Sequence, residues 1–128
     1  MSNLISFERF SASAESLSMS NQGTDCFLDL LLYAAEKMEK TPSQEALTVF
    51  LQERKEINAI APGNAGFDVE EMPWNPVSLS EDSLFLLDVI EKAKSCSLPY
   101  EIEKGIVFPW LDQFAKMVEK LPSFDPVS

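Results

Sequence analysis

Histidine is absent from this chain of 128 residues, which also contains only two cysteines and four glycines. Without histidine the chain cannot build a Ser-His-Asp or Cys-His catalytic arrangement, and it lacks the commonest metal ligand. Two distant cysteines cannot form an all-cysteine zinc site, and none of the glycines has P-loop or dinucleotide-binding spacing. These absences predict that the protein is not an enzyme and that it uses no metal or cofactor.

Long apolar runs are also missing, since no stretch approaches the roughly 20 residues needed to span a bilayer. The first ten residues, MSNLISFERF, lack the basic leader and apolar core of a secretory signal. A hydrophobic content of 45% is nevertheless typical of a folded protein. We therefore expect a single cytoplasmic domain, with its two thiols reduced and buried.

Basic residues are scarce, because 10 Lys and Arg stand against 21 Asp and Glu, which gives a net charge of -11. Nucleic acid and anionic membranes would repel such a chain, so neither is an expected partner. Nine carboxylates and two lysines lie between Gly66 and Glu103, so this segment alone carries -7. The acid either keeps the protein soluble or steers a basic partner into contact, and charge alone does not separate the two interpretations.

Helical periodicity predicts an all-α single domain of about five helices, with a helical-repeat-like stack as an alternative. Residues 1–22 are predicted to form an N-terminal arm or short helix, 23–122 the helical domain, and 123–128 a tail. The oligomeric state is left open.

Helix starts are predicted from local signals. Thr24 is a candidate N-cap, Thr41 with Gln44 and Ser78 with Glu81 form candidate capping boxes, and Pro109 is expected to open the last helix. The helix after Ser78 contains the run LFLLDVI and is predicted to be the central core helix.

The stretch GFDVEEMPWNP, which starts at Gly66, is predicted to be a stiff, extended acidic loop. Gly66 is expected to provide a turn with positive φ. Phe67 and Trp74 are predicted to pack back onto the core helix, or else to be offered to a partner. Asp68 with Glu70 or Glu71 is the one remaining arrangement for a metal ion or for general acid–base chemistry, which we regard as the lesser alternative.

The runs GFDVEEMPW, FLLDVIEKAK and FPWLDQF, in the C-terminal half, resemble helical immunity proteins of bacterial contact-dependent inhibition and related toxin systems. The resemblance implies tight, non-catalytic binding to a basic toxin domain, often a nuclease. The physical argument agrees with this, because a carboxylate-rich surface can fill a cleft that is basic in order to bind phosphate.

On this interpretation the partner-binding carboxylates are predicted to be Asp68, Glu70, Glu71, Glu101 and Glu103. Trp74 and Tyr100 are the predicted aromatic anchors, because Trp and Tyr are favoured at interface hot spots. A cytoplasmic secretion chaperone or adaptor is the alternative, although such chaperones often dimerise around a sheet and this chain has little strand pattern. A DNA mimic is a third hypothesis, which the clustering of the acids disfavours.

Overall fold

The computed structural model describes residues 2–7, 15–96, 98, 101–102 and 104–121, which form four α-helices and a three-stranded mixed sheet. The strands are β1 (Ser2–Phe7), β2 (Glu15–Ser20) and β3 (Phe67–Asp68), and a short 3₁₀ helix (Val69–Glu71) follows β3. The helices are α1 (Asn21–Glu36), α2 (Pro42–Ile60), α3 (Leu79–Ala93) and α4 (Lys104–Glu119). This mixed α/β architecture corrects the prediction of an all-α domain of about five helices.

The first two strands form an antiparallel pair where an arm or a short helix was predicted. Their register runs from Ser2 opposite Ser20 to Phe7 opposite Glu15. In β2, buried Leu17 and Met19 alternate with exposed Ser18 and Ser20, which is the period of a strand with one buried face. The helix prediction was wrong because serines occupy the exposed positions and the apolar residues of the segment also fit a helical spacing.

Strand β3 pairs in parallel with β1, with Ile5 opposite Phe67 and Ser6 opposite Asp68. Gly66 precedes this pairing, and a Cβ atom there would lie 2.7 Å from the Leu4 nitrogen. Glycine is therefore required at this position for the close approach of two backbones. The predicted turn with positive φ was wrong, since that conformation belongs to Gly63, with φ of 93°.

The central element is α1, which contacts the other three helices and both long strands. Its buried residues include Phe27, Leu28, Leu30, Leu31 and Ala34. The predicted core helix, α3, packs mainly on α1 and α4 and leaves its outer side exposed. The apolar run in α3 misled the prediction, because Leu84 within it is 61% exposed.

A buried polar cluster fixes the sheet to the helices. The Asn3 side-chain nitrogen donates to Thr24 Oγ1 at 2.8 Å and to Asn58 Oδ1 at 3.0 Å. The Asn3 side-chain oxygen accepts from the Ala65 nitrogen at 2.8 Å. Asn3 thereby joins β1, the start of α1, the end of α2 and the segment before β3.

The predicted starts of two helices are confirmed, although only one of the two predicted capping boxes forms. Thr41 and Gln44 form the predicted capping box of α2, with Pro42 in the first position. Helix α3 begins at Leu79 as predicted, but Ser78 makes no side-chain cap bond to the backbone. Its hydroxyl donates to Asp82 Oδ2 at 2.9 Å instead, so the second capping box is not formed.

The other two helices begin earlier than predicted. Ser20, not Thr24, caps α1 by accepting from the Gly23 nitrogen at 3.0 Å. Helix α4 begins at Lys104 and carries Pro109 in its interior, where a helix start was predicted. Proline there removes one bond to the carbonyl of Gly105, which is exposed and therefore open to water.

Candidate partner-binding surface

The carboxylate of Asp68, a predicted partner-binding residue, is part of the loop's internal hydrogen bonding. Its Oδ1 accepts from the Glu70 nitrogen at 2.9 Å and so caps the short 3₁₀ helix. Its Oδ2 accepts from the Ser6 hydroxyl at 3.2 Å, which ties the loop to β1. Both oxygens of Asp68 therefore stabilise the fold.

The aromatic residues of the same loop also point inward. Phe67 is buried and makes edge-to-face contacts with Phe50 of α2 and Phe114 of α4, at centroid distances of 5.1 and 6.3 Å. Trp74 is half-buried against the core, and its Nε1 donates to the Val69 carbonyl at 2.8 Å. Phe67 therefore packs into the core, but its ring partners within the described residues lie on α2 and α4, whereas the prediction placed it on α3.

The remaining predicted residues do not form one patch within the described chain. Glu70 is half-buried and Glu71 is exposed. Glu101 is exposed and lines a groove of about 240 Å³ that includes Trp110 but none of the loop residues. Tyr100 and Glu103 lie outside the described residues.

A different group of carboxylates lies on the outer side of α3. Glu81, Asp88 and Glu91 are exposed, and their spacing with Leu84 is three, four and three residues. Side chains at this spacing share one side of a helix. We call these four residues the acidic face of α3.

Two of the three carboxylates on the acidic face form no ion pair within the described residues. Of the ion pairs in the described residues, none involves Glu81 or Asp88, and Glu91 lies 3.7 Å from the Lys94 ammonium. Lys94 is itself hydrogen-bonded to Asp112 on α4, and this bond raises the pKa of Lys94 above its ordinary value. Lys94 is therefore already engaged, whereas Lys92, which lies one turn after Asp88 and lines the same groove as Asp88, forms no ion pair within the described residues.

Asp82, the neighbour of Glu81, has the opposite environment. It is 1% exposed, accepts from the Gln44 side-chain nitrogen at 3.2 Å, and accepts from the Ser78 hydroxyl at 2.9 Å. These bonds hold the start of α3 against the start of α2. A partner protein therefore has access to Glu81 and not to Asp82.

A groove between α3 and α4 adjoins the acidic face, and we call it the α3–α4 groove. It has a volume of about 260 Å³ and shares Leu84 with the acidic face. Five apolar side chains, two serines and one carboxylate line it: Leu79, Ser80, Ser83, Leu84, Leu87, Val118, Glu119 and Leu121. Its only charged lining residue in the described chain is thus an acid.

Two larger grooves have mixed charge. A groove of about 570 Å³ between α1 and α2 includes Lys40 and Lys55 among its lining residues, and one of about 590 Å³ includes Lys92 and Lys94. Lys55 forms an ion pair with Asp29, while Lys40 donates to the Ala35 carbonyl at 2.7 Å. We consider the smaller α3–α4 groove the better candidate, because its charge is of one sign.

The acidic face could have been found in the sequence. Its members recur at helical spacing after a correctly predicted helix start, but the run LFLLDVI was taken as apolar on most of its surface. The long-range hydrogen bonds of Asp68 and Asp82 had no comparable local signal, because their partners Ser6 and Gln44 lie 62 and 38 residues away.

Comparison of this chain with protein-family models, curated proteins and solved structures finds no match. Within the described residues, no helix combines the length and apolar character needed to cross a bilayer. The same residues contain no cluster of three or more Cys, Asp or Glu side chains that could hold a metal ion.

Proposed function

We propose that this protein is a non-catalytic acidic binding protein, and more specifically a bacterial, cytoplasmic immunity protein. On this proposal it neutralises a basic toxin domain, such as a nuclease, by covering the active site. The observation that supports the proposal is the acidic face of α3, where Glu81 and Asp88 are exposed and take part in no ion pair within the described chain.

Carboxylates without an internal partner suit this role for a physical reason. A carboxylate that already accepts hydrogen bonds within the fold has fewer lone pairs left for a partner and is held in one orientation. Within the described residues, the carboxylates of Glu81 and Asp88 form no ion pair, and the net charge of -11 attracts a basic domain over longer distances. Close charge pairs across an interface couple by roughly 1.5 to 7 kcal/mol.

The test is a pull-down from a lysate of the organism that encodes the protein, with washes at low and then high salt. Wild type is compared with the double variant Glu81→Lys/Asp88→Lys and with a control, Glu53→Lys/Glu56→Lys. The control changes two exposed carboxylates on α2, so the net charge changes equally. We expect wild type and control to retain a basic protein at low salt, and the α3 variant to lose it.

The captured protein must then be toxic or nucleolytic, and rebinding of wild type must block that activity. Equal losses for both variants would mean that only the total charge matters, which would contradict a role for α3. A captured protein whose activity is unchanged on rebinding would contradict the immunity function.

A secretion chaperone is the second candidate, and the sheet favours it. Such chaperones often dimerise around a sheet, and the sequence had too little strand pattern to predict one. The structure contains a sheet of three strands, β1, β2 and β3, so this argument against a chaperone no longer applies. A chaperone would capture an exported protein without blocking its activity. Measuring the activity of the captured protein therefore separates the two functions.

A further inference from the structure

The α3–α4 groove and the acidic face of α3 meet at Leu84, and together they form one continuous surface that a partner could bind. Leu84 lines the groove and is 61% exposed, although burying a leucine side chain is worth about 1.5 to 3 kcal/mol. One turn further along α3, Asp88 is exposed and takes part in no ion pair within the described chain. The surface therefore has an apolar position and an anionic position about 6 Å apart along the helix axis.

The size of the groove argues for a side chain of a protein rather than a small molecule. Small-molecule sites usually enclose about 300 to 1,000 Å³ and bury most of the ligand. The α3–α4 groove, at about 260 Å³, lies below that range. It can hold the apolar end of a partner side chain whose backbone stays outside.

The charge of the surface indicates which charge the partner should carry. From Leu79 to Ile90, α3 exposes two carboxylates, those of Glu81 and Asp88, and contains no lysine or arginine. Glu119 adds a carboxylate from α4 to the groove itself. An apolar side chain entering here would be flanked by acids, so its neighbours on the partner should be cationic.

We propose that the α3–α4 groove receives an apolar side chain from a basic amphipathic helix of the partner protein, whose lysines or arginines lie on the acidic face of α3. This inference rests on the proposed function, because it specifies how a basic partner is held. Helix-in-groove recognition places the apolar anchors of the bound helix at intervals of three or four residues, which leaves the positions between them for its lysines or arginines.

The test uses a synthetic fluorescent peptide as the probe, an amphipathic helix with leucines at i, i+4 and i+7 and lysines elsewhere. Fluorescence anisotropy gives its Kd for wild type. Two control peptides separate the forces involved: one replaces the leucines by serine, and the other replaces the lysines by glutamate. Wild type should bind the first control more weakly and should not bind the second.

Matched variants of the protein locate the binding. Leu84→Ser removes the shared apolar position, whereas Val77→Ser removes an apolar side chain that is 94% exposed and does not line the groove. We expect Leu84→Ser to weaken binding about tenfold, which corresponds to about 1.4 kcal/mol, and Val77→Ser to leave it unchanged. Amide chemical shifts should change along α3 and at the end of α4.

Several outcomes would overturn the inference. If Leu84→Ser and Val77→Ser bind the peptide equally well while Glu81→Lys/Asp88→Lys does not, the acidic face binds without the groove and the proposed function survives. If wild type does not bind the lysine peptide at any salt concentration, the inference is wrong, and the pull-down decides separately whether the proposed function holds.

Other occupants of the groove give distinct results. If the peptide binds only to a variant that ends at Leu121, the chain's own residues 122–128 compete for the groove. If wild type is a dimer that Leu84→Ser converts to a monomer, a second copy of this chain is the occupant. Either result would replace the proposed partner helix.

Discussion

The two acidic stretches of this protein, one at Asp68 to Glu71 and one along α3, are similar in composition and different in availability. In the first, both oxygens of Asp68 accept hydrogen bonds from within the fold, and Glu70 is half-buried. In the second, Glu81 and Asp88 are exposed and take part in no ion pair within the described chain. Counting carboxylates therefore does not identify a binding surface, because their hydrogen-bonding partners decide which of them are available.

The substitution with the largest expected effect is Gly66→Ala, which disturbs the attachment of the Asp68–Glu71 stretch to the sheet. In Gly66→Ala, the new Cβ would clash with the backbone of Leu4, which cannot move without disturbing β1. We expect a loss of about 2 to 3 kcal/mol in the free energy of unfolding, measured by urea denaturation. Gly105→Ala is the control, since a Cβ there meets nothing within 4 Å.

Because Gly105 lies in α4, the control variant should be more stable than wild type by up to about 1 kcal/mol. Equal effects of the two glycine substitutions would contradict the close approach of the loop to β1.

The second effect compares two neighbours on α3. Asp82→Ala leaves the buried Gln44 side chain without its acceptor and should lower the free energy of unfolding by about 2 kcal/mol. Glu81→Ala removes an exposed side chain and should change it by less than about 0.5 kcal/mol. Thermal and urea unfolding of both variants measure the difference, and equal stabilities would refute the contrast between buried and available carboxylates.

The third effect separates stability from binding. Asp68→Ala removes the cap of the 3₁₀ helix and should cost about 1 kcal/mol of stability without changing capture of a basic partner. Asp88→Ala should do the reverse, since it weakens capture and leaves the urea midpoint within error of wild type. If Asp68→Ala captures less of the partner while circular dichroism shows an intact fold, the loop is part of the binding interface and the prediction is wrong.

The smallest effect concerns the ion pair of Lys55 with Asp29, which joins α2 to α1. The hydrogen bond to Asp29 raises the pKa of Lys55 above its ordinary value of 10.5. A raised pKa in the folded state means that the stabilisation is complete below pH 10.5 and is lost as the pH rises through the folded-state value.

Because Lys55 is 35% exposed, solvent screening should limit the contribution to under about 1 kcal/mol. We expect Lys55→Gln to be slightly less stable than wild type at neutral pH, with the difference vanishing in strong alkali. A difference that grows with pH would have the wrong sign for this pair. Urea midpoints measured across the alkaline range provide the test.

Local signals in the sequence predicted the parts of the fold that depend on neighbours in the chain. The capping box of Thr41 and Gln44 is one such case, because both partners lie within one turn. The start of α3 after Ser78 is another. The prediction of β1 and β2 failed because strand pairing joins distant residues, and because serines reduced the apolar alternation that indicates a strand.

Long-range contacts also explain the errors at the predicted binding residues. Asn3 accepts a hydrogen bond from the Ala65 nitrogen, 62 residues away. Asp68 of β3 accepts a hydrogen bond from Ser6, which lies opposite it on β1. These contacts hold the segment around Asp68 against β1 and occupy the carboxylate that was predicted to be available. The acidic face of α3 depends only on helical spacing and could have been recognised from the sequence.

The most direct test of the central claim is the capture of a basic partner by three proteins in parallel: wild type, Glu81→Lys/Asp88→Lys and Asp68→Asn. The substitution in Asp68→Asn removes a charge from the loop while keeping a side chain of the same shape. We predict that wild type and Asp68→Asn retain the partner at low salt and that the α3 variant does not. Retention by the α3 variant together with loss by Asp68→Asn would contradict the claim that α3 carries the binding surface.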